Sequence, residues 1–189
     1  MFKKILVALD HSETSTAVFD AAVELAQKLQ ASLMLVHVLS SSEDGDSSVL
    51  LTTPPAYGMG LSEVAWNDYS RRWQAYEEEG LEKLRGYQQL AQAAGLEAEF
   101  SQNSGMPGKR LCDVARLWNA DLILIGSRGR QGLSELFMGS VSNYVTHHAT
   151  CSVLVIHPQR NKAAIVEEKT AVAVSSPEAE ALEVTKPVA

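Results

Sequence analysis

Short unbroken apolar runs alternate along this chain with longer stretches in which apolar residues return every three or four positions. The first run, Lys3 to Leu9, is rich in branched side chains and stops at Asp10-His11-Ser12, which predicts a buried central strand entering a turn. Beyond Ser12, a residue suited to an N-cap, Val18, Ala22, Leu25, Ala26 and Leu29 fall on one face and predict a helix over 13–30. Ser32 to Leu39 is almost wholly apolar, at a length proper to a strand buried on both faces, so the chain opens with a right-handed βαβ unit.

The pattern is then lost. Ser40-Ser41-Ser42, Asp44-Gly45-Asp46 and Pro54-Pro55 are turn formers without period, and they predict a long mobile loop over 40–62. From Ser62 to Ala94 the helical period returns, with Trp66, Tyr69, Trp73, Tyr76, Leu84, Tyr87 and Ala91 on one stripe. One helix of that length would run roughly 50 Å at about 1.5 Å per residue, too long to lie across one sheet, so a break is expected at Gly80. At helical spacing the aromatic stripe reads as core rather than as a docking surface.

Glu97 to Gln102 predicts a weaker strand, Gly108 to Trp118 a helix with Leu111, Val114, Ala115 and Trp118 on one face, and Asp121 to Ile125 a strongly apolar strand. A glycine-rich stretch over 126–139 leads into a helix over 140–148, and Ser152 to Ile156 closes the series as a fifth strand. Strands alternating with helices predict an α/β fold: one doubly wound, five-stranded parallel sheet, Rossmann-like, with helices on both faces. Beyond Pro158 there is no period and too little large apolar content to offset ordering entropy, so 158–189 is expected to be a disordered tail on a domain spanning 1–157.

Composition narrows the function. A chain of 189 residues with 46% apolar content supports one good core, and its net charge of −7 repels phosphate backbones and anionic lipid, which argues against nucleic acid and membrane partners. The opening apolar run stops at Asp10, too short for a signal peptide, and no stretch approaches the ~20 apolar residues of a membrane span. Cytoplasmic residence is the expectation. Cys112 and Cys151 show no metal-binding spacing and read as small buried apolar groups. His147 and His148 are adjacent and point to different sides of a helix, and His11, His37 and His157 attract no role by themselves.

Candidate chemistry concentrates after the fourth strand, where Gly126-Ser127-Arg128-Gly129 is followed, nine residues later, by Gly139-Ser140 at a helix start. Backbone N–H groups can grip a phosphate only if the chain comes close and turns sharply, which Gly126 and Gly129 permit. The free amides from Gly139 to Val141 and the positive end of the helix dipole would then face an anion, with hydroxyls from Ser140 and Ser142 as further donors. Arg128 and Arg130 bring positive charge to the same loop, the alternative being that they are solvated loop residues. Asp10 ends the first strand, where ligands of open parallel sheets sit, and reads either as a ligand or metal group or as a cap on the first helix.

With these residues in view, the chain resembles the universal stress protein family. Gly-x-x-Gly, nine residues, Gly-Ser is that family's ATP-binding signature, and the spacing here matches it without a gap. Similarity extends through Lys4 to Ser12, His37-Val38, Gly105-Met106-Pro107, Asp121 to Gly126 and Cys151 to Ile156, and covers about residues 1–157. The resemblance implies sheet order 3-2-1-4-5, adenine near Asp10 and Val38, and ribose and phosphates on Gly126, Gly129, Gly139 and Ser140. It also implies ATP or AMP as ligand, with Mg or Mn alongside the phosphates. In two places the chain departs from the family: Leu9 stands where many members have proline, and the 40–62 stretch is longer than usual.

The fifth strand would be an edge, apolar and without an internal charge or proline, and the resemblance implies a two-fold homodimer through Ser152 to Ile156. The leading functional expectation is a nucleotide-dependent stress-response sensor or regulator. One alternative is a slow ATPase or phosphotransferase, which the lack of a Walker lysine and of paired carboxylates disfavours; another is a structural or chaperone-like dimer that binds no nucleotide.

Overall fold

The computed structural model describes residues 2–12, 14–40, 63–127 and 138–157, except the side chains of 63–66 and Tyr69. In chain order these form β1 (Lys4–Ala8), α1 (Thr14–Leu29), β2 (Ser32–Leu39), α2 (Glu63–Ala93), β3 (Ala98–Ser104), α3 (Pro107–Trp118), β4 (Leu122–Gly126), α4 (Ser140–His148) and β5 (Ser152–Ile156). The strands make one parallel sheet in the order β3-β2-β1-β4-β5. The chain winds outward from β1 in one direction and then in the other, so β1 and β4 flank the point where strand order reverses.

Side chains alternate across a strand, and that period sorts the core into two layers. Ile5, Val7, Leu9, Leu33, Leu35, Leu122 and Leu124 face one way and pack with Val18, Phe19, Ala22 and Ala26 of α1 and with Leu84 and Ala91 of α2. Leu6, Met34, Val36, Val38, Ile123 and Ile125 face the other way, against Leu111 and Ala115 of α3 and Val145 of α4. Central strands covered on both sides must be apolar at every position, which is why β1, β2 and β4 read as continuous runs. Each such side chain, fully buried, contributes about 1.5–3 kcal/mol of transfer free energy.

Helix boundaries follow local chemistry. Pro107 opens α3, where its missing N–H costs nothing, and Asn119 ends it in the left-handed region at φ 57°. At the opposite end of the sheet, the exposed Asp121 carboxylate accepts the main-chain N–H groups of Lys3 (2.8 Å) and Lys4 (2.9 Å). Those two hydrogen bonds, outweighing the small cost of burial, hold its carboxyl below the usual carboxylate range.

One expectation fails. The helix over 63–93 is not broken at Gly80; α2 runs as a single helix of 31 residues, ~46 Å at 1.5 Å per residue. Gly80 serves a close approach instead: a Cβ there would stand 2.7 Å from His37 Nδ1 and from Gln102 Oε1. Glycine lets α2 pass directly over β2 and β3, and a helical residue without a Cβ need not interrupt the helix. Among the described residues of the aromatic stripe, Leu84 and Ala91 are buried and Tyr87 packs beside them, while Trp73 and Tyr76 are half-buried.

Among the described residues β5 has a single strand neighbour, β4, and its outer edge carries Leu154 at 41% exposure. Of the expected loop over 40–62 only Ser40 is described, and it is buried; the rest of it and the expected tail over 158–189 lie outside the described residues.

Candidate functional site

Register fixes which residues meet at the mouth of the sheet. Ala8 is level with Val36 across β1 and β2, so Asp10, two residues on, is level with Val38. Val7 is level with Leu124 across β1 and β4, so Asp10 is also level with Ser127. Neighbouring strands lie about 4.8 Å apart, and three of the segments named by the sequence therefore converge at the carboxyl ends of β2, β1 and β4.

Strand pairing on β1 ends as Leu9 N–H donates to Val36 O at 2.9 Å, and side chains take over from there. Asp10 N–H donates to Ser15 Oγ at 2.8 Å, and Asp10 C=O accepts from Ser15 Oγ and from Lys83 Nζ, each at 2.9 Å. The Asp10 carboxylate takes the N–H of Ser12 (2.9 Å), the Ser12 hydroxyl and the Ser15 hydroxyl (2.7 Å), all on Oδ1. Asp10 thus closes its own turn in the manner of an Asx residue rather than capping the α1 amides, and Ser12 gives its hydroxyl to Asp10 rather than to the helix. Oδ2 receives no donor among the described residues.

Across the crevice, Ser127 N–H donates to Ile156 O at 2.8 Å and Gly139 N–H donates to Ser127 O at 2.7 Å. The second bond draws the start of α4 down onto the end of β4. Ser142, buried, donates its hydroxyl to Ser127 O (3.2 Å) and Gly139 O (3.0 Å), which ties the first turn of α4 to the end of β4. Gly139 sits at the N-cap with extended φ/ψ and supplies no side chain to the helix. The amides of Ser140 and Val141 therefore find no acceptor among the described residues, as the first turn of an uncapped helix leaves them. Ser140 is exposed and its hydroxyl is free beside them.

Ser127 lies inside the segment marked in the sequence by Gly126 and Gly129, and nothing local in the sequence singles it out. Its hydroxyl is buried, at 1% residue exposure, and has no hydrogen-bond partner. A buried hydroxyl so placed is costly unless something comes to meet it. The structure does bring Asp10, Val38, Gly126, Gly139, Ser140, Val141 and Ser142 to one end of the sheet; Arg128 and Gly129 lie outside the described residues.

Two histidines of no apparent note in the sequence also meet here, on the side facing α2. His37 is buried and the His11 side chain is 5% exposed, with ring centroids 5.0 Å apart; Tyr76 lies 5.2 Å from the His11 ring, and His11 Nδ1 stands 3.4 Å from Glu79 Oε1. Sequence period alone could not pair them, because His11 follows β1 and His37 lies in β2, with α1 between them.

Among the described residues no group of three His, Cys, Asp or Glu side chains could close round a metal ion. A divalent cation at Asp10 would have only the Oδ2 oxygen and whatever phosphate oxygens a ligand brought, a donor set that suits Mg better than Zn. Cys112 and Cys151 are half-buried free thiols whose pKa burial pushes up, which argues against reactive thiolates. Among the described residues no helix is long and apolar enough to cross a membrane.

Comparison with known proteins converges on one group. The model of the Universal stress protein family matches residues 1–157. A universal stress protein of Synechocystis is 37% identical over 158 residues, covering 82% of this chain and 97% of its own. Among solved structures, a universal stress protein from Lactobacillus plantarum superposes with a TM-score of 0.65 at 25% identity, covering 82% of this chain and 97% of its own. A family member from Arabidopsis thaliana solved with AMP bound matches at a TM-score of 0.56 and 18% identity, covering 85% of this chain and 94% of its own. Universal stress proteins solved with cAMP and, from Archaeoglobus fulgidus, with dAMP match at a TM-score of 0.53 each, and these more distant likenesses speak to the fold.

Proposed function

Because the chain belongs to the universal stress protein family, we propose that it is a nucleotide-dependent regulator that binds ATP or AMP in the crevice beside Asp10 and acts as a cytoplasmic homodimer. The observation that carries the reading is the uncapped start of α4, held by the Ser127–Gly139 bond next to a buried Ser127 hydroxyl that lacks a partner. Donors without acceptors at a helix N-terminus suit an anion of several oxygens, and they lie level with a carboxylate that suits the N–H edge of a base. Relatives of this fold have been solved with AMP, cAMP and dAMP, which supports an adenine nucleotide as the class of ligand.

In this reading adenine lies toward Asp10 and Val38. Phosphates lie on the amides from Gly139 to Val141 and on Gly126 and Gly129, with Arg128 adding charge; if Mg or Mn accompanied them, Asp10 would be the residue to hold it and the ion would neutralise phosphate charge. Nothing in it calls for turnover: the groups bind and orient, and occupancy is read out through the protein's surface. The partner copy docks on β5, whose outer edge a second β5 would complete by two-fold symmetry.

The test is to denature freshly purified protein and identify the released small molecules by mass spectrometry, alongside a thermal-shift titration with ATP and AMP. Co-purified adenine nucleotide, or a melting temperature that climbs with ligand, supports the proposal; neither, up to millimolar ligand, contradicts it.

A further inference from the structure

The main chain of residue 10 has left the β1 ladder and not yet entered α1, and side chains from two different helices hold it. Its N–H goes to Ser15 of α1, and its carbonyl accepts both Ser15 Oγ and the ammonium of Lys83 on α2. Ser15 is buried and anchored by its own helix, whereas Lys83 must reach the carbonyl from the middle of α2, one turn beyond Gly80. A charge-assisted bond of 2.9 Å to the Asp10 carbonyl constrains ψ of residue 10, and so the direction of its own Cα–Cβ bond relative to that peptide plane, alongside the Ser12 and Ser15 donors that hold Oδ1.

We propose that Lys83 is a positioning residue: by holding the Asp10 carbonyl from α2, it sets the angle at which the free Oδ2 oxygen faces the base of a bound nucleotide. This rests on the nucleotide-binding reading above and extends it, because it makes the seating of α2 part of base recognition. The same helix also meets the turn through Glu79 on His11 and Tyr76 against the His11 ring, so α2 contacts residues 10 and 11 at three successive points along one face. A ligand that prefers one setting of Asp10 must favour the corresponding seating of α2, and a change at α2 must alter ligand affinity by the same factor. Among the described residues no hydrogen bond or ion pair joins α2 to the head of α4, so the amides of Ser140 and Val141 lie outside this coupling.

The experiment compares wild type with Lys83→Met and Lys83→Arg, titrating each with ATP and separately with inorganic triphosphate, both without divalent cation so that no metal links Asp10 to the phosphates, after checking by melting temperature that each variant is folded. The expected result is an ATP affinity about tenfold weaker in Lys83→Met, inorganic triphosphate binding unchanged, and most of the ATP affinity restored in Lys83→Arg, whose guanidinium can reach the same carbonyl. Unchanged ATP affinity in Lys83→Met, an equal loss for both ligands, or no recovery in Lys83→Arg would each overturn the role of Lys83 while leaving nucleotide binding standing. A wild-type protein that bound no adenine nucleotide would instead overturn the binding proposal, and this one with it.

Discussion

The main-chain carbonyl of Ser127 accepts the N–H of Gly139 at 2.7 Å, and this one bond brings together the two ends of the segment that joins β4 to α4. It sets the amides at the head of α4 beside a buried serine hydroxyl with no partner, and the hydroxyl yields the first prediction. Leaving such a group unsatisfied costs about 1–3 kcal/mol, so Ser127→Ala is expected to melt at the same temperature as wild type or higher. If the hydroxyl serves a phosphate, the same variant binds both ATP and inorganic triphosphate roughly tenfold more weakly, the worth of one good hydrogen bond to a charged group. A variant that lost stability and kept its affinity would show that the hydroxyl has a structural role.

Gly108 lies where α3 crosses α4, and a Cβ on it would stand 2.7 Å from Cδ1 and 2.9 Å from Cβ of Tyr144. Those atoms are the root of the ring, and the ring is itself stacked on His148 with centroids 4.0 Å apart, so it cannot simply swing away. Gly108→Ala is expected to cost about 1–3 kcal/mol by overpacking, read from urea unfolding curves. Because α4 must give way, ATP affinity should fall as well, and an unchanged unfolding midpoint would mean that the two helices separate freely.

How much of this was open to the sequence depends on the range of the interaction. β2, α4 and β5 begin and end where the residue pattern placed them, because continuous apolar runs and a glycine ahead of a helix are local signals. The sheet order came from family resemblance and agrees with the pairing found. Gly80 misled because a glycine that breaks a helix and one that admits a neighbouring strand look the same in one dimension; only the His37 and Gln102 atoms 2.7 Å away distinguish them. The His11–His37 pair and the Lys83 bond were illegible for a similar reason: they join residues far apart in the chain, and no period connects them.

At the edge of the sheet, Leu154 is 41% exposed on a strand with one described neighbour. In a dimer through β5 that side chain would be covered, so Leu154→Glu is expected to shift the protein from dimer to monomer in light scattering, with the fold unchanged by circular dichroism. A wild type that is monomeric at micromolar concentration would remove β5 as a partner surface.

Asp121 ties down the start of β1 through the Lys3 and Lys4 amides, and those bonds depress its carboxyl pKa in the folded protein. A group whose folded pKa lies below its unfolded value adds stability that is present above the unfolded pKa and is lost as pH falls through the folded one. Asp121→Ala is therefore expected to melt below wild type at pH 7, with the two curves converging as the pH drops below the ordinary carboxylate range. A gap that persisted into strong acid would assign the effect to packing rather than to the charge.

The most direct test of the central claim is an ATP titration of isotope-labelled protein followed through its backbone amide resonances. The account predicts saturable shifts that are largest at Ser127, Gly139, Ser140 and Val141 together with Asp10, marking a ligand that spans from the head of α4 to the end of β1. Saturable binding whose shifts cluster elsewhere, or no shift at millimolar ATP, would contradict it.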